Sequence, residues 1–332
     1  MQLLKENIKT YTPMQKAKVD IEKDLACKKD YSTNSWFAVS HFEADGEKLS
    51  LLYHAMIFQF PGIPAVCTSC VSVTNETTGE YIQESKLFFR NKVDAPNDRF
   101  CIKTPENYFR GDLSEMQLTL TGKDIQMDAT LVPVGYPILN GGTGRFQMVG
   151  LEIFQYSLPT LNTVGTMTVK GKKYIINGNT WFDRQWETMK TPNLTWGWMD
   201  LNLSNGTYIS LWYPVENKQE KSFATILSPD GSQKLVPVEP VIATARDFWK
   251  SNACRNDYPT KWTVTIPDCN AKLEVVTEIK EQELQFNWVK PLNHYEAASN
   301  VTGTYEGEAV TGQCFVELLA MKPWSKVVEE LK

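Results

Sequence analysis

Trp36–Tyr53 reads WFAVSHFEADGEKLSLLY, and Trp196–Tyr213 reads WGWMDLNLSNGTYISLWY. The two align without a gap at a constant offset of 160 (196 − 36 and 213 − 53), and Trp, Gly, Ser, Leu and Tyr coincide at five of the 18 positions. Asp45-Gly46 falls on Asn205-Gly206, and such dipeptides between alternating apolar residues mark tight hairpin turns. Each copy reads as strand, turn, strand, so the spacing predicts a chain of two similar halves, with Trp36 and Trp196 in equivalent places. The same texture extends outward. Thr78-Gly79 and Asp230-Gly231 are further turn signals, while Met116–Leu120, Thr166–Ile176, Tyr208–Tyr213 and Leu273–Ile279 are rich in strand-forming residues. Only the Lys/Glu-rich lead-in (residues 1–30), Ala243–Lys250 and the tail Ser325–Lys332 suit a helix. The expected fold class is all-β, an antiparallel sandwich or barrel in each half. The expected domains are 1–188, with its helical or irregular lead-in, and 189–332, with a short C-terminal helix. The junction falls near MKTPN (Met189–Asn193).

A length of 332 residues suits two domains. A net charge of −5 without a dense Lys/Arg block argues against a nucleic-acid partner. Hydrophobic and charged contents of 42% and 22% are those of a globular chain. Ten Trp, 13 Tyr and 15 Phe need a large core or a ligand cavity to hide in. No window is apolar enough for a membrane span, and MQLLKENIKTYTPMQKAK at the start lacks the apolar run of a signal peptide. Seven cysteines at irregular spacing make a poor disulfide framework. Asn75, Asn193, Asn202, Asn205 and Asn300 open sequons that have no consequence without export. The expectation is a cytoplasmic protein with free thiols.

The three histidines, His41, His54 and His294, form no HxH or HExxH, so no zinc site is expected. Cys67 and Cys70 form a lone CxxC, which a strand would point to opposite faces. Asn140-Gly-Gly-Thr-Gly144 lacks the strand–helix setting of a phosphate loop and reads as a bend. No GxSxG or P-loop occurs, and no metal, nucleotide or flavin is expected. Gly178-Asn-Thr-Trp-Phe-Asp-Arg-Gln-Trp186 stands apart. As a strand it puts Trp181, Asp183 and Gln185 on one face, and Phe182, Arg184 and Trp186 on the other. A carboxyl among aromatic side chains in a dry cavity is a candidate general acid, and a solvated or salt-bridged strand Asp is the alternative. Trp196, Trp198 and Asp200 repeat the arrangement. His294-Tyr-Glu296 and Glu317 follow, as cavity-lining groups or surface pairs.

The set Trp36-Phe37 with His41 and Gly46, then Gly178-x-x-Trp-Phe-Asp-Arg-Gln-Trp186, then Trp196-x-Trp198 with Asn205-Gly206, then Tyr295-Glu296 with Gly303 and Gly312-x-x-Phe-Val-Glu317, resembles the carotenoid 1,2-hydratase family. That family is also called hydroxyneurosporene synthase-like or AttH-like. The motifs run in order across most of the chain. The resemblance implies two lipocalin-like β-domains with an apolar ligand region, and cofactor-free chemistry on an alkene. It includes carotenoid hydratases, kievitone hydratase-like enzymes and fungal Diels–Alderases. Asp183 corresponds to the acid taken to protonate the alkene in the carotenoid hydratases, and Trp181 falls where they carry an aromatic. Two positions depart from the pattern: Glu187 stands where the family has Gly, and Ser35-Trp36 where it has paired Trp.

The leading expectation is a hydratase, or a related lyase or isomerase, for an unsaturated apolar small molecule. Asp183 donates the proton, and Gln185, Tyr295 or His294 holds a water. Trp36, His41, Trp181, Trp186, Trp196 and Trp198 are the candidate substrate-binding residues, since indole faces stabilise a cation. A cyclase that only folds a polyene, and a non-catalytic carrier, are the alternatives.

Overall fold

The computed structural model describes residues 16–189, 194–286 and 293–332. The chain divides into unit 1 (Met1–Phe146 and Leu151–Met189) and unit 2 (Gln147–Gly150 and Lys190–Lys332). In chain order the first strands are β1 (Thr33–Ala44), β2 (Glu47–Phe58), β3 (Val66–Asn75), β4 (Glu80–Phe89), β5 (Phe100–Lys103) and β6 (Asn107–Gly111). Then come β7 (Met116–Thr121), β8 (Ile125–Pro133), β9 (Ile138–Leu139), β10 (Arg145–Met148), β11 (Leu151–Val169) and β12 (Lys172–Glu187). They form a twelve-stranded antiparallel sheet in the order β4-β3-β2-β1-β12-β11-β8-β7-β6-β5, with β9 and β10 also on β11. The chain thus steps outward over four strands, crosses to the far edge, and returns until β12 closes on β1.

The second set is β13 (Thr195–Leu203), β14 (Tyr208–Glu216), β15 (Gln219–Glu220), β16 (Phe223–Leu227), β17 (Gln233–Pro237) and β18 (Arg246–Lys250). It ends with β19 (Asp257–Ile266), β20 (Ala271–Val276), β21 (Glu283–Leu284), β22 (His294–Tyr305) and β23 (Glu308–Ala320), followed by α1 (Trp324–Leu331). The order β17-β16-β14-β13-β23-β22-β20-β19-β18 repeats the first sheet's path. The fold is all-β, two lipocalin-like antiparallel sheets of one topology.

The repeated hairpin differs in one respect from its sequence alignment. Ala44 pairs with Glu47 across a two-residue turn, in which Asp45 and Gly46 have φ of 52° and 77°. In the second copy Leu203 pairs with Thr207 around three residues, Ser204-Asn205-Gly206. One extra residue shifts the register by one and turns every side chain of the strand to the other face. Trp36 therefore lies in the core of unit 1, and its structural counterpart is Thr195. Trp196 occupies the position of Phe37 on the opposite face.

Each core follows from alternation. Phe42, Leu51, Tyr53, Tyr156, Leu158, Phe182 and Trp186 pack in unit 1, and Met199, Leu211, Tyr213, Trp262, Tyr295 and Leu318 in unit 2. The lead-in closes the first core: Trp36 Nε1 donates to Leu25 O at 2.9 Å and Tyr156 OH to Ile21 O at 3.0 Å. Residues 1–15 of that lead-in, and 190–193 of the junction segment, lie outside the described residues. Ala243–Lys250 is not helical but a short 3-10 turn followed by β18. Phe248 and Trp249 pair with β19 while Asp247, with φ 56°, bulges out of the ladder. Among the described residues no helix is long and apolar enough to cross a membrane.

Candidate active site

The three central strands of unit 1 turn one face to the core and the other away from it. On the face away from the core, Phe37, Asp183 and Ser157 stand in one row across β1, β12 and β11. Asp183 is 5% exposed. Trp181 Nε1 donates to its Oδ1 at 2.7 Å, and Gln155 Nε2 donates to its Oδ2 at 2.8 Å. Each carboxyl oxygen has two lone pairs, so one N–H apiece leaves room for a proton. Gln155 Oε1 is buried and has no hydrogen-bond partner among the described residues, an acceptor left open beside the acid. Ser35 Oγ lies 2.8 Å from His54 Nε2, and Phe37 meets the His54 ring edge-on at 5.3 Å.

Local irregularity sets this arrangement. The β11–β12 register shifts between Leu158 and Leu161, where Pro159 lacks the N–H a ladder needs. Trp181 lies opposite this bulge. On the core face Arg184 is fully buried between indoles, 4.4 Å from the Trp36 ring centre and 5.0 Å from that of Trp186. It donates to Ser35 O, Gln185 O, Ala26 O and Asn34 Oδ1. Burial pulls its guanidinium down to about 10. Glu187 returns to the Asp183 face. It accepts from Thr33 Oγ1 and, at 3.1 Å, from Gln185 Nε2. Burial holds its carboxyl above the usual range, although those two hydrogen bonds pull the other way.

Unit 2 also carries polar groups on its non-core face. Trp212, Trp198, Glu317 and Glu296 form one row across β14, β13, β23 and β22. Trp196 Nε1 donates to Glu317 Oε1 at 2.8 Å, and Trp198 Nε1 to Ser210 Oγ at 3.1 Å. Asp200 accepts from the Phe315 N–H and from Asn202 Nδ2. His294 Nε2 lies 3.3 Å from Glu296 Oε1. Among the described residues no group of three or more His, Cys, Asp or Glu side chains is arranged to hold a metal ion.

Residues 12–321 match the model of the family described as AttH-like. The chain belongs to the AttH-like family. Among its relatives is dehydratase asqC of Emericella nidulans, 25% identical over 258 residues, or 71% of this chain and 74% of that one. Another is kievitone hydratase of Fusarium solani subsp. phaseoli, 25% identical over 300 residues, or 86% and 82%. The crystal structure of kievitone hydratase from Nectria haematococca superposes with a TM-score of 0.81 at 24% identity, over 96% of this chain and 98% of that one. That likeness carries the fold.

In this AttH-like chain Trp181, Asp183 and Gln185 share a face, and Trp181 touches the acid. Gln185 Nε2 is engaged by Glu187 rather than by Asp183. His41 lies on the same face but four residues from Phe37 along β1, about 13 Å away at strand rise. There it contacts Ser50 at 3.0 Å. Trp36 and Trp186 point into the core with Arg184, because they alternate with the Asp183 face. They pack the sheet and take no place beside the acid. Tyr295 likewise points into the core of unit 2. Its OH donates to Lys280 O at 2.8 Å, and its ring stacks on Tyr258 at 4.9 Å, on the opposite face from His294. Trp196, Trp198 and His294 lie on the non-core face of unit 2. Sequence reading passed over Gln155, the donor to Asp183, because only the β11–β12 register brings it there.

Proposed function

We propose that the protein adds water to, or removes it from, a carbon–carbon double bond of an unsaturated apolar small molecule, without a cofactor, with Asp183 carrying the proton. Relatives named as a hydratase and a dehydratase support an enzyme over a carrier, and their two names describe one reaction in its two directions. The observation that carries the reading is the buried Asp183 carboxyl, gripped by two N–H donors on a face turned away from the core of its own unit.

In hydration, protonated Asp183 gives its proton to one alkene carbon. The π pair forms the new C–H bond, and the neighbouring carbon becomes cationic. The carboxylate left behind is stabilised by the Trp181 and Gln155 N–H groups, already aimed at it. An indole face beside the cation adds about 0.5–2 kcal/mol. Water accepted by Gln155 Oε1 attacks the cation, and its surplus proton returns to Asp183. Dehydration runs the same steps backwards. That none of the seven cysteines is in a disulfide supports a reducing, cytoplasmic setting for this chemistry.

The test is Asp183→Asn assayed for water addition to kievitone, the compound one relative is named for. General acid catalysis contributes about 10²–10⁴-fold, so kcat should fall by that factor while kievitone affinity stays within a few-fold. Wild-type turnover by the variant would remove Asp183 as the acid.

A further inference from the structure

Glu296, on the non-core face of unit 2, has a completely buried side chain, and among the described residues neither of its oxygens is in hydrogen-bond geometry with a partner. Its neighbours are themselves committed. On β13, Asp200 is held by the Phe315 and Asn202 N–H groups, and on β23 the directly opposite Glu317 is held by Trp196. On its own strand His294 stands 3.3 Å away, 13% exposed at its side chain and stacked on Phe286 at 5.5 Å. Glu283, on the adjoining β21, pairs with Tyr295 and bonds Tyr258, so it belongs to the opposite face. A buried polar group without a partner costs about 1–3 kcal/mol, so an unanswered carboxyl needs an explanation.

We propose that Glu296, reached past His294, is a hydrogen-bond donor for an uncharged ligand oxygen, a carbonyl or hydroxyl carried on an aromatic or apolar body. The donor state follows from its surroundings. Burial first, and the Asp200 charge second, push the Glu296 carboxyl well above the usual range, which keeps a proton on it. A protonated carboxyl has one O–H to give, and among the described residues no acceptor stands in hydrogen-bond geometry to receive it, His294 Nε2 standing 3.3 Å off. Trp198 and Trp212, in the same row and themselves buried, make the surroundings of that row apolar. An anionic ligand is disfavoured by Asp200 and Glu317. The role is separate from that of Asp183 and does not depend on it.

The experiment compares 1-tetralone with tetralin, the same body without the carbonyl, by isothermal titration calorimetry. Wild type should bind the ketone about tenfold more tightly, as one buried hydrogen bond gives. That preference should vanish in Glu296→Leu and should fade in wild type as pH rises and the carboxyl ionises. Glu296→Gln, whose amide still donates, guards against a Leu variant that fails to fold, and should keep the preference at every pH. Equal affinities for the two probes in wild type would overturn the proposal. So would an undiminished preference in folded Glu296→Leu, or a pH dependence in Glu296→Gln matching that of wild type.

Discussion

At the scale of single residues, opposite treatment of charge distinguishes the two faces of β12. Arg184 keeps its charge in the core because four acceptors and two indole faces surround it. Lysine cannot fill that planar slot, so Arg184→Lys should cost about 1–3 kcal/mol in chemical denaturation despite conserving charge. Asp183→Asn should also destabilise, by about 1–3 kcal/mol, since an amide offers one acceptor to two N–H donors. Its loss of turnover must therefore be read on folded protein. Glu296 gives a pH signature. Its folded value lies above the unfolded one, so the native state binds the extra proton, and this contribution is complete below the unfolded value and lost as pH rises. Thermal melts from pH 5 to pH 8 should therefore show wild type losing stability relative to Glu296→Gln. A parallel pair of curves would count against the raised value.

At the scale of elements, alternation was readable and register was not. The pattern along Gly178–Trp186 places Trp181 with Asp183 and Arg184 on the opposite face, because a strand's period of two allows nothing else. The same rule puts Trp186 on the face away from Asp183, as the alternation already had it, and puts Tyr295 apart from His294, so neither belonged among the groups around the acid or the water. Partners across strands need pairing that no local pattern carries: Gln155 reaches Asp183 only through the β11–β12 ladder and its bulge at Pro159. The hairpin repeat was visible as Asp45-Gly46 over Asn205-Gly206, yet a turn one residue longer exchanged the faces of Trp36 and Trp196. Deleting Ser204 should drive Trp196, Trp198 and Asp200 toward the core side and yield insoluble or unfolded protein, read by solubility and far-ultraviolet circular dichroism. Gly197→Ala is a milder probe. A Cβ there would stand 2.1 Å from the Tyr213 ring, and such overpacking should cost about 1–3 kcal/mol in a denaturant titration.

At the scale of the whole molecule, one strand path is used twice, and each unit keeps a buried carboxyl cluster on the face its own core does not use. The clusters differ in chemistry. The Asp183 oxygens are both answered by N–H donors, whereas among the described residues no N–H or O–H is in hydrogen-bond geometry with those of Glu296, His294 standing 3.3 Å off. On the proposed reading the first gains and loses a proton, with its conjugate base already met by two N–H donors, and the second holds one. Turnover in oxygen-18 water of an unsaturated apolar compound that wild type consumes, followed by mass spectrometry with wild type and Asp183→Asn side by side, tests the role of Asp183 most directly. Labelled hydrate from wild type and essentially none from the folded variant is the predicted result. Unlabelled product of unchanged mass from wild type, or labelled hydrate formed by Asp183→Asn at the wild-type rate, would contradict it.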